Sequence, residues 1–209
     1  MNLTVHLMRH GETGQESPRR FLGQRDVPLS DSGRAQALLW REALSGVDYA
    51  GAWCSDLSRC RETAEIVLEG RPLQAVPLAG LREIALGEWD GLTAEEVKAR
   101  FPGQHEARGA DMAGFRVPGG ESFEDVAHRA CCAFEGILAE NRIADGATLL
   151  IVAHAGVNRA ILCRLLGMPL AGLFRLGQDH ACLNVIAYRK GAPELRALNL
   201  DAWPPARTL

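Results

Sequence analysis

The sequence predicts an α/β protein, a three-layer sandwich in which helices flank a mostly parallel central sheet with an antiparallel edge strand. Short apolar segments of strand length alternate along the chain with segments of helical periodicity. Residues 148–153 are apolar without interruption, which is typical of a strand buried on both faces. Hydrophobic residues make up 47% of the 209 residues and charged residues 23%, the balance of a globular protein with a core.

In the first half of the chain, strands and helices are expected to alternate. Strands are expected where β-branched and apolar residues are concentrated, at residues 3–8, 49–54 and, more weakly, 73–76. Helices are expected from a cap at Ser30 to about residue 44, over 57–68, and from the capping-box sequence at Thr93 to Pro102.

In the second half, Ser122 is expected to cap a long amphipathic helix that ends at Asn141. Glycine and proline recur in residues 103–121, which we therefore expect to be irregular and to cap the site. The apolar strand leads into a helix over 157–166, and late strands at 182–188 and 194–200 form the antiparallel edge. No linker or repeat interrupts the chain, so residues 1–209 are expected to form a single domain.

Composition and charge exclude several classes of protein. No apolar run has the length of a membrane span, and the N-terminal residues lack the basic region of a signal peptide. The six cysteines include no C-x-x-C pair, which argues against a zinc ribbon or a disulfide framework and favours the reducing cytoplasm. The net charge is −3 and no basic stripe is present, so neither a nucleic acid nor a membrane is an expected partner.

Two segments of the chain share one form, in which a predicted strand is followed by a histidine and a turn that contains glycine. His10 follows the first strand and His154 follows the long apolar strand. Ligand sites in open α/β sheets form at the carboxyl ends of the strands, so both side chains are expected at one edge. Arg59, just after the second strand, belongs to the same edge. One histidine after a strand is more often a packing residue, but two in matched positions indicate a site.

Histidines beside arginines are suited to phosphoryl transfer. A neutral imidazole is a competent nucleophile near neutral pH, and guanidinium groups match phosphate oxygens two at a time. Arg9 is adjacent to His10, and so much positive charge disfavours a bound metal ion. The combination predicts a phosphohistidine intermediate.

Six blocks of sequence together resemble the histidine phosphatase superfamily, which includes the cofactor-dependent phosphoglycerate mutases. The first is Leu-Met-Arg-His-Gly-Glu-Thr at residues 7–13. The others are 23–30 with Gly33 and Gln36, 54–60 with Thr63 and Ala64, 81–84 with 87–91, 118–122 and 152–159. Their order along nearly the whole chain implies a phosphoglycerate mutase-like fold. The Gly-Glu-Trp-Asp-Gly run at residues 87–91 resembles the phosphatase branch, with α-ribazole phosphatases among its members.

The resemblance also implies a role for each matching residue. His10 would be the phosphorylated nucleophile, and Glu83 would be the proton donor and acceptor. Arg9, Arg59 and His154 would bind the phosphoryl oxygens without a metal or a cofactor. Further phosphate-binding positions would be Thr13, Gly23, Gln24 and Ala155. Glu16 replaces a common asparagine, and Thr13 or Gln24 could make up for that contact.

The sequence thus predicts a metal-independent phosphomonoesterase that acts on a small phosphorylated metabolite. Two alternatives are a phosphoglycerate mutase-type transferase and a non-catalytic phosphate-binding protein. Only 70 residues lie between Glu83 and His154, where mutases usually carry additional sequence. A cysteine phosphatase is excluded because Cys54 precedes Arg59 by one residue too few for C-x₅-R. The sequence determines neither the substrate nor the oligomeric state, for which a homodimer is the candidate.

Overall fold

The structure, a computed structural model, describes residues 2–14, 18, 20–140 and 143–202 and contains a central six-stranded sheet. Its order is β3-β2-β4-β1-β5-β6, where the strands are β1 Leu3–Arg9, β2 Tyr49–Cys54, β3 Val76–Pro77, β4 Ala147–Ala153, β5 Leu183–Arg189 and β6 Ala192–Leu200. The strands from β3 to β1 are parallel, whereas β5 and β6 are antiparallel. The predicted mostly parallel sheet with an antiparallel edge is confirmed.

Helices cover both faces of this sheet. They are α1 Asp31–Ala43, α2 Ser58–Val67, α3 Ala94–Arg100, α4 Gln104–Ala110, α5 Phe123–Leu138 and α6 Ala155–Leu166. The side chains of β4 alternate between two cores: Leu150 and Val152 pack with α1 and α2, whereas Leu149 and Ile151 pack with α5 and α6. Both sets are fully buried, which explains why this strand is apolar throughout. The three-layer sandwich is therefore confirmed.

Two sequence predictions of local structure are wrong. The third strand is at Val76–Pro77 rather than 73–76, because only these residues pair with β2. The segment 103–121 is not irregular throughout, since α4 begins after Gly103, which adopts a positive φ of 79°. Glycine marks the start of this helix instead of excluding it.

The remaining helices and strands lie close to their predicted positions. Ser30, Thr93 and Ser122 each cap a helix with the side-chain oxygen, and the last two form complete capping boxes. Helix α5 ends at Leu138, and the predicted end at Asn141 lies outside the described residues. No helix in the described part of the chain is long and apolar enough to cross a membrane.

A contact between two glycines joins the segment after β1 to the first turn of α1. A Cβ atom on Gly11 would lie 2.5 Å from the carbonyl oxygen of Gly33, and one on Gly33 would overlap the carbonyl oxygen of Glu12. The same carbonyl of Glu12 accepts a 2.9 Å hydrogen bond from the backbone N–H of Ser30. This close backbone packing fixes the segment that carries His10.

We expect Gly33→Ala to lower the free energy of unfolding by about 1–3 kcal/mol, because the added methyl group has no space beside Glu12. Urea denaturation followed by circular dichroism measures the change. Gly136→Ala in the exposed last turn of α5 is the matched control, since its Cβ would meet nothing within 4 Å. That substitution should stabilise the protein by up to about 1 kcal/mol. Equal effects of the two substitutions would contradict this account of the glycine contact.

Candidate active site

The site lies at the carboxyl ends of β1, β2 and β4, around a cavity of about 720 Å³. Parallel pairing aligns Arg9 of β1 with Ala153 of β4, so the histidines that follow the two strands become neighbours. Their ring centres are 5.1 Å apart. The predicted site residues that line the cavity are Arg9, His10, Thr13, Gly23, Arg59, Glu83 and Ala155.

His10 is held as a neutral imidazole with one tautomer. Its ring is 5% exposed, and Nδ1 lies 2.7 Å from the carbonyl oxygen of Gly11. Because a carbonyl only accepts, Nδ1 must carry the proton and Nε2 keeps its lone pair. Burial, together with the charges of Arg59 and Arg9, holds the pKa of His10 well below its ordinary value. The ring is therefore uncharged at neutral pH.

Arg59 is 1% exposed and is oriented by three acceptors. Its two Nη atoms donate to the carbonyls of Arg25 at 2.8 Å and Gly23 at 2.9 Å, and Nε donates to Nδ1 of His154 at 3.3 Å. Burial lowers the pKa of Arg59, but a guanidinium remains charged in proteins. A buried positive charge with a fixed fork thus borders the cavity.

His154 is completely buried and lies behind the cavity wall. Its Nδ1 accepts from Arg59, so Nε2 carries the proton and donates to Ser55 Oγ at 2.9 Å. Burial first, then Arg59 and His10, hold the pKa of His154 well below its ordinary value. In this arrangement both ring nitrogens have protein partners, and the ring holds Arg59 in place. Its expected direct contact with phosphate stays a prediction.

Arg9 is positioned from the other half of the chain. Its Nη1 donates at 2.6 Å to the carbonyl of Gln178, whose side chain lies in a buried amide cluster. Asn158 donates to the Gln178 side chain at 3.1 Å, and Asn184 exchanges hydrogen bonds with it at 2.7 and 3.0 Å. The sequence analysis missed these amides, which carry no local pattern.

Glu83 faces the same cavity from the segment after β3. Its two carboxylate oxygens accept from the backbone N–H groups of Ile84 at 2.9 Å and Gly156 at 3.0 Å. Gly156 lies in the first turn of α6, and a Cβ atom there would overlap Oε1 of Glu83. Gln24 lies outside the cavity wall, and its side-chain amide donates at 2.9 Å to the carbonyl of Glu83. Its expected contact with phosphate stays a prediction.

Arg129 on α5 clamps the backbone that carries Glu83. It donates to the carbonyls of Gly80 at 3.0 Å, Arg82 at 2.6 Å and Glu83 at 2.9 Å. It also forms a 2.7 Å ion pair with Glu121. Sequence inspection missed Arg129, since nothing around it indicates that its partners lie about fifty residues earlier in the chain.

The cavity is also lined by residues to which the sequence analysis assigned no individual role. They are mostly aromatic or cationic, and include Phe21, Arg108, Phe123, Arg159, Phe174 and His180. The His180 ring centre is 5.9 Å from that of His10. Two of them had a signal in the sequence, because Arg108 lies in the segment expected to cap the site and Arg159 lies in the block 152–159. Glu16 falls outside the described residues, and no metal-binding group of three or more His, Cys, Asp or Glu occurs among those described.

A profile of the histidine phosphatase superfamily (branch 1) matches residues 5–201. The chain belongs to this superfamily. The adenosylcobalamin/alpha-ribazole phosphatase of Salmonella typhimurium is 30% identical over 205 residues, which cover 97% of this chain and 100% of that protein. The 2,3-bisphosphoglycerate-dependent phosphoglycerate mutase 2 of Gloeobacter violaceus is 34% identical over 76% of this chain and 74% of its own.

Among solved structures, the mycobacterial glucosyl-3-phosphoglycerate phosphatase is similar to this histidine phosphatase, with a TM-score of 0.84 and 31% identity. The match covers 96% of this chain and 100% of the mycobacterial one. The resemblance predicted from the six blocks is therefore confirmed at the level of family and fold.

We expect the acid limb of the pH profile of kcat/KM to lie well below pH 6.5, since the lowered pKa of His10 keeps Nε2 unprotonated there. An unperturbed imidazole would lose half of its activity near its pKa of about 6.5. The rates should be corrected for the separately measured ionisation of the substrate. A limb centred at the ordinary imidazole pKa would contradict the buried, cation-flanked state of His10.

Proposed function

We propose that this protein hydrolyses a small phosphorylated metabolite through a phosphohistidine formed on His10. The protein is a phosphatase of the histidine phosphatase superfamily. The observation that carries the mechanism is a neutral imidazole with a fixed tautomer, which shares one cavity with the guanidinium groups of Arg9 and Arg59. Such an imidazole can attack phosphorus without first losing a proton, while the arginines supply the positive charge that stabilises the phosphoryl oxygens.

In the first step, the Nε2 lone pair of His10 attacks phosphorus and the bond to the leaving oxygen breaks. Arg9 and Arg59 neutralise the phosphoryl oxygens, and Glu83 transfers its proton to the departing alkoxide. A phosphate monoester has a second pKa of about 6 and can therefore bind as a monoanion and bring that proton to Glu83. The products of this step are the alcohol and the phosphoenzyme.

In the second step, the carboxylate of Glu83 takes a proton from water while the water oxygen attacks phosphorus. The phosphorus–nitrogen bond breaks, which releases inorganic phosphate and restores neutral His10. Two backbone N–H groups hold Glu83 at its position through both proton transfers. Because arginines provide the electrostatic stabilisation, we propose that the reaction needs no metal ion.

The other predicted site residues have supporting roles in this proposal. Thr13, Gly23 and Ala155 line the phosphate end of the cavity, where hydroxyl and backbone groups are available to phosphate oxygens. His154 and Gln24 act as positioning residues, because their side chains hold Arg59 and the backbone of Glu83.

A mutase is the second candidate, because a phosphoglycerate mutase is among the relatives of this chain. A mutase must exclude water until the phosphoryl group has been returned to a substrate. Only 70 residues lie between Glu83 and His154, where mutases usually carry additional sequence, and this favours hydrolysis. A binding protein is disfavoured because all five groups needed for the chemistry are present.

We also propose that the protein acts in the cytoplasm, because all six cysteines are free thiols. The single domain spanning residues 1–209, with 103–121 as its cap, is part of the same proposal. A homodimer stays a prediction.

His10→Ala should abolish both turnover and the phosphoenzyme, because no other group replaces the nucleophile. Rapid quench in alkaline detergent after incubation with ³²P-labelled substrate would preserve the label on the protein, and label that is stable in alkali but labile in acid would identify phosphohistidine. His128→Ala, on the exposed face of α5, is the matched control and should retain both. Wild-type turnover of p-nitrophenyl phosphate should persist in EDTA. An active His10→Ala enzyme would refute the mechanism.

Glu83→Gln should reduce hydrolysis of an alkyl phosphate by about 10²–10⁴-fold, because its alkoxide needs a proton. The loss on p-nitrophenyl phosphate should be much smaller for the first step, since nitrophenolate is a stable leaving group. Burst kinetics separate release of nitrophenol from hydrolysis of the phosphoenzyme. Glu88→Gln, an exposed change in the same block, is the control. Equal losses in the first step on the two substrates would argue against the acid role.

A further inference from the structure

Arg108, on helix α4, borders the cavity but is not part of the machinery described above. Its guanidinium carbon lies within 6 Å of three aromatic ring centres, at 5.8 Å from Phe21, 5.7 Å from Trp89 and 5.9 Å from Phe123. The rings stabilise the positive charge through their faces, but they accept none of its N–H groups in ordinary hydrogen bonds.

Arg108 differs from the other arginines of the site in its hydrogen bonding. Arg59 and Arg129 each donate to two or more backbone carbonyls. Among the residues that the structure describes, no hydrogen bond or ion pair engages the guanidinium of Arg108. A guanidinium that borders a cavity without a protein partner is available to a ligand, and a charged fork is a strong binder of oxyanions.

The electrostatic surroundings of Arg108 leave its charge available to a ligand. Burial lowers the pKa of Arg108, and the carboxylate of Glu83 partly opposes that effect. Glu83 is close enough to influence the pKa of Arg108 but forms no ion pair with it within 4 Å, and its two oxygens accept from backbone N–H groups instead. The phosphoryl group itself is already matched by Arg9 and Arg59, which lie on other elements.

We infer that Arg108 binds an oxyanion on the leaving group, so that the preferred substrate is a phosphate monoester whose alcohol carries a carboxylate or a second phosphate. This inference rests on the proposed function and specifies its substrate class. A planar guanidinium matches either anion with two parallel hydrogen bonds. Phe21 and Phe123, which also line the cavity, would exclude water from this contact and strengthen it.

A second cation on the wall fits the same assignment. Arg159 on α6 donates through Nε to the carbonyl of Leu176 at 2.9 Å, and its guanidinium carbon is 5.1 Å from the ring centre of Phe174. Phe174 in turn packs edge to face on Phe123, with ring centres 5.7 Å apart. Aromatic rings and two arginines therefore share the wall beside Glu83, where a leaving group released by that acid would lie.

The test compares three phosphate monoesters of similar size. Glycerol 3-phosphate has an uncharged alcohol, 3-phosphoglycerate adds a carboxylate, and 1,3-propanediol bisphosphate adds a second phosphate. We expect kcat/KM of the wild-type enzyme to be at least about tenfold higher for one or both anionic substrates than for glycerol 3-phosphate. The substrate that is preferred identifies the anion.

Arg108→Gln should lower this preference by about tenfold or more, and Arg108→Lys should retain part of it because the charge remains. Arg100→Gln, an exposed change at the end of α3, is the matched control and should leave the preference unchanged. Melting curves by circular dichroism verify that each variant is folded. Because the readout is a ratio between substrates, a general structural defect would lower all rates and leave the ratio unchanged.

Two results would overturn the inference while leaving the phosphatase mechanism intact. One is equal kcat/KM of the wild-type enzyme for the three substrates. The other is a parallel loss on all three in Arg108→Gln. Absence of wild-type turnover on every phosphate monoester, including p-nitrophenyl phosphate, would instead refute the proposed function and with it this substrate class.

Discussion

The site depends on keeping one imidazole uncharged next to two permanent cations. Burial and the charges of Arg59 and Arg9 both disfavour protonation of His10, so the charges that we propose bind phosphate also keep the proposed nucleophile uncharged. The carbonyl of Gly11 then decides which nitrogen keeps the lone pair. If His10 were more exposed, it would lose the desolvation that contributes most to its lowered pKa. If the two arginines lay farther from the ring, they would neither lower that pKa nor be in place to stabilise phosphoryl oxygens.

The fold meets this requirement by bringing the ends of parallel strands together. Register between β1 and β4 places His10 beside His154, and α2, which follows β2 after a short turn, carries Arg59 in its first turn. Tight packing then fixes the backbone: Gly11 touches the first turn of α1, and Gly156 allows Glu83 to reach the N-terminus of α6. Any side chain at these glycines would displace a reacting group. The rigidity of the site is thus a consequence of close backbone contact.

The arginines of the site differ in the partners of their hydrogen bonds. Arg59 and Arg129 both donate hydrogen bonds to backbone carbonyls. These bonds orient the guanidinium of Arg59, whereas those of Arg129 hold the backbone segment that carries Glu83. Arg108 lies among aromatic rings that leave its donors unused. In the mechanism that we propose, the fixed arginines bind the phosphoryl group, which is common to all substrates, and Arg108 binds the leaving group, which differs between them.

The sequence by itself determined the family, the fold class and the strand ends that carry His10, Arg59 and His154. Strands, capped helices and motif blocks are local patterns, so residues close in sequence suffice to predict them. The predictions for α4 and β3 were wrong. Glycine near α4 suggested irregular structure where a helix forms, and the position of β3 is set by its pairing with β2.

Only the tertiary structure decided which residues support the site. Arg129, Gln178 and Arg108 act through partners far away in sequence, and no spacing along the chain indicates such contacts. The tautomers and lowered pKa values of the two histidines likewise come from burial and from charges on other elements. These properties are set by distances in space, which the order of residues does not specify locally.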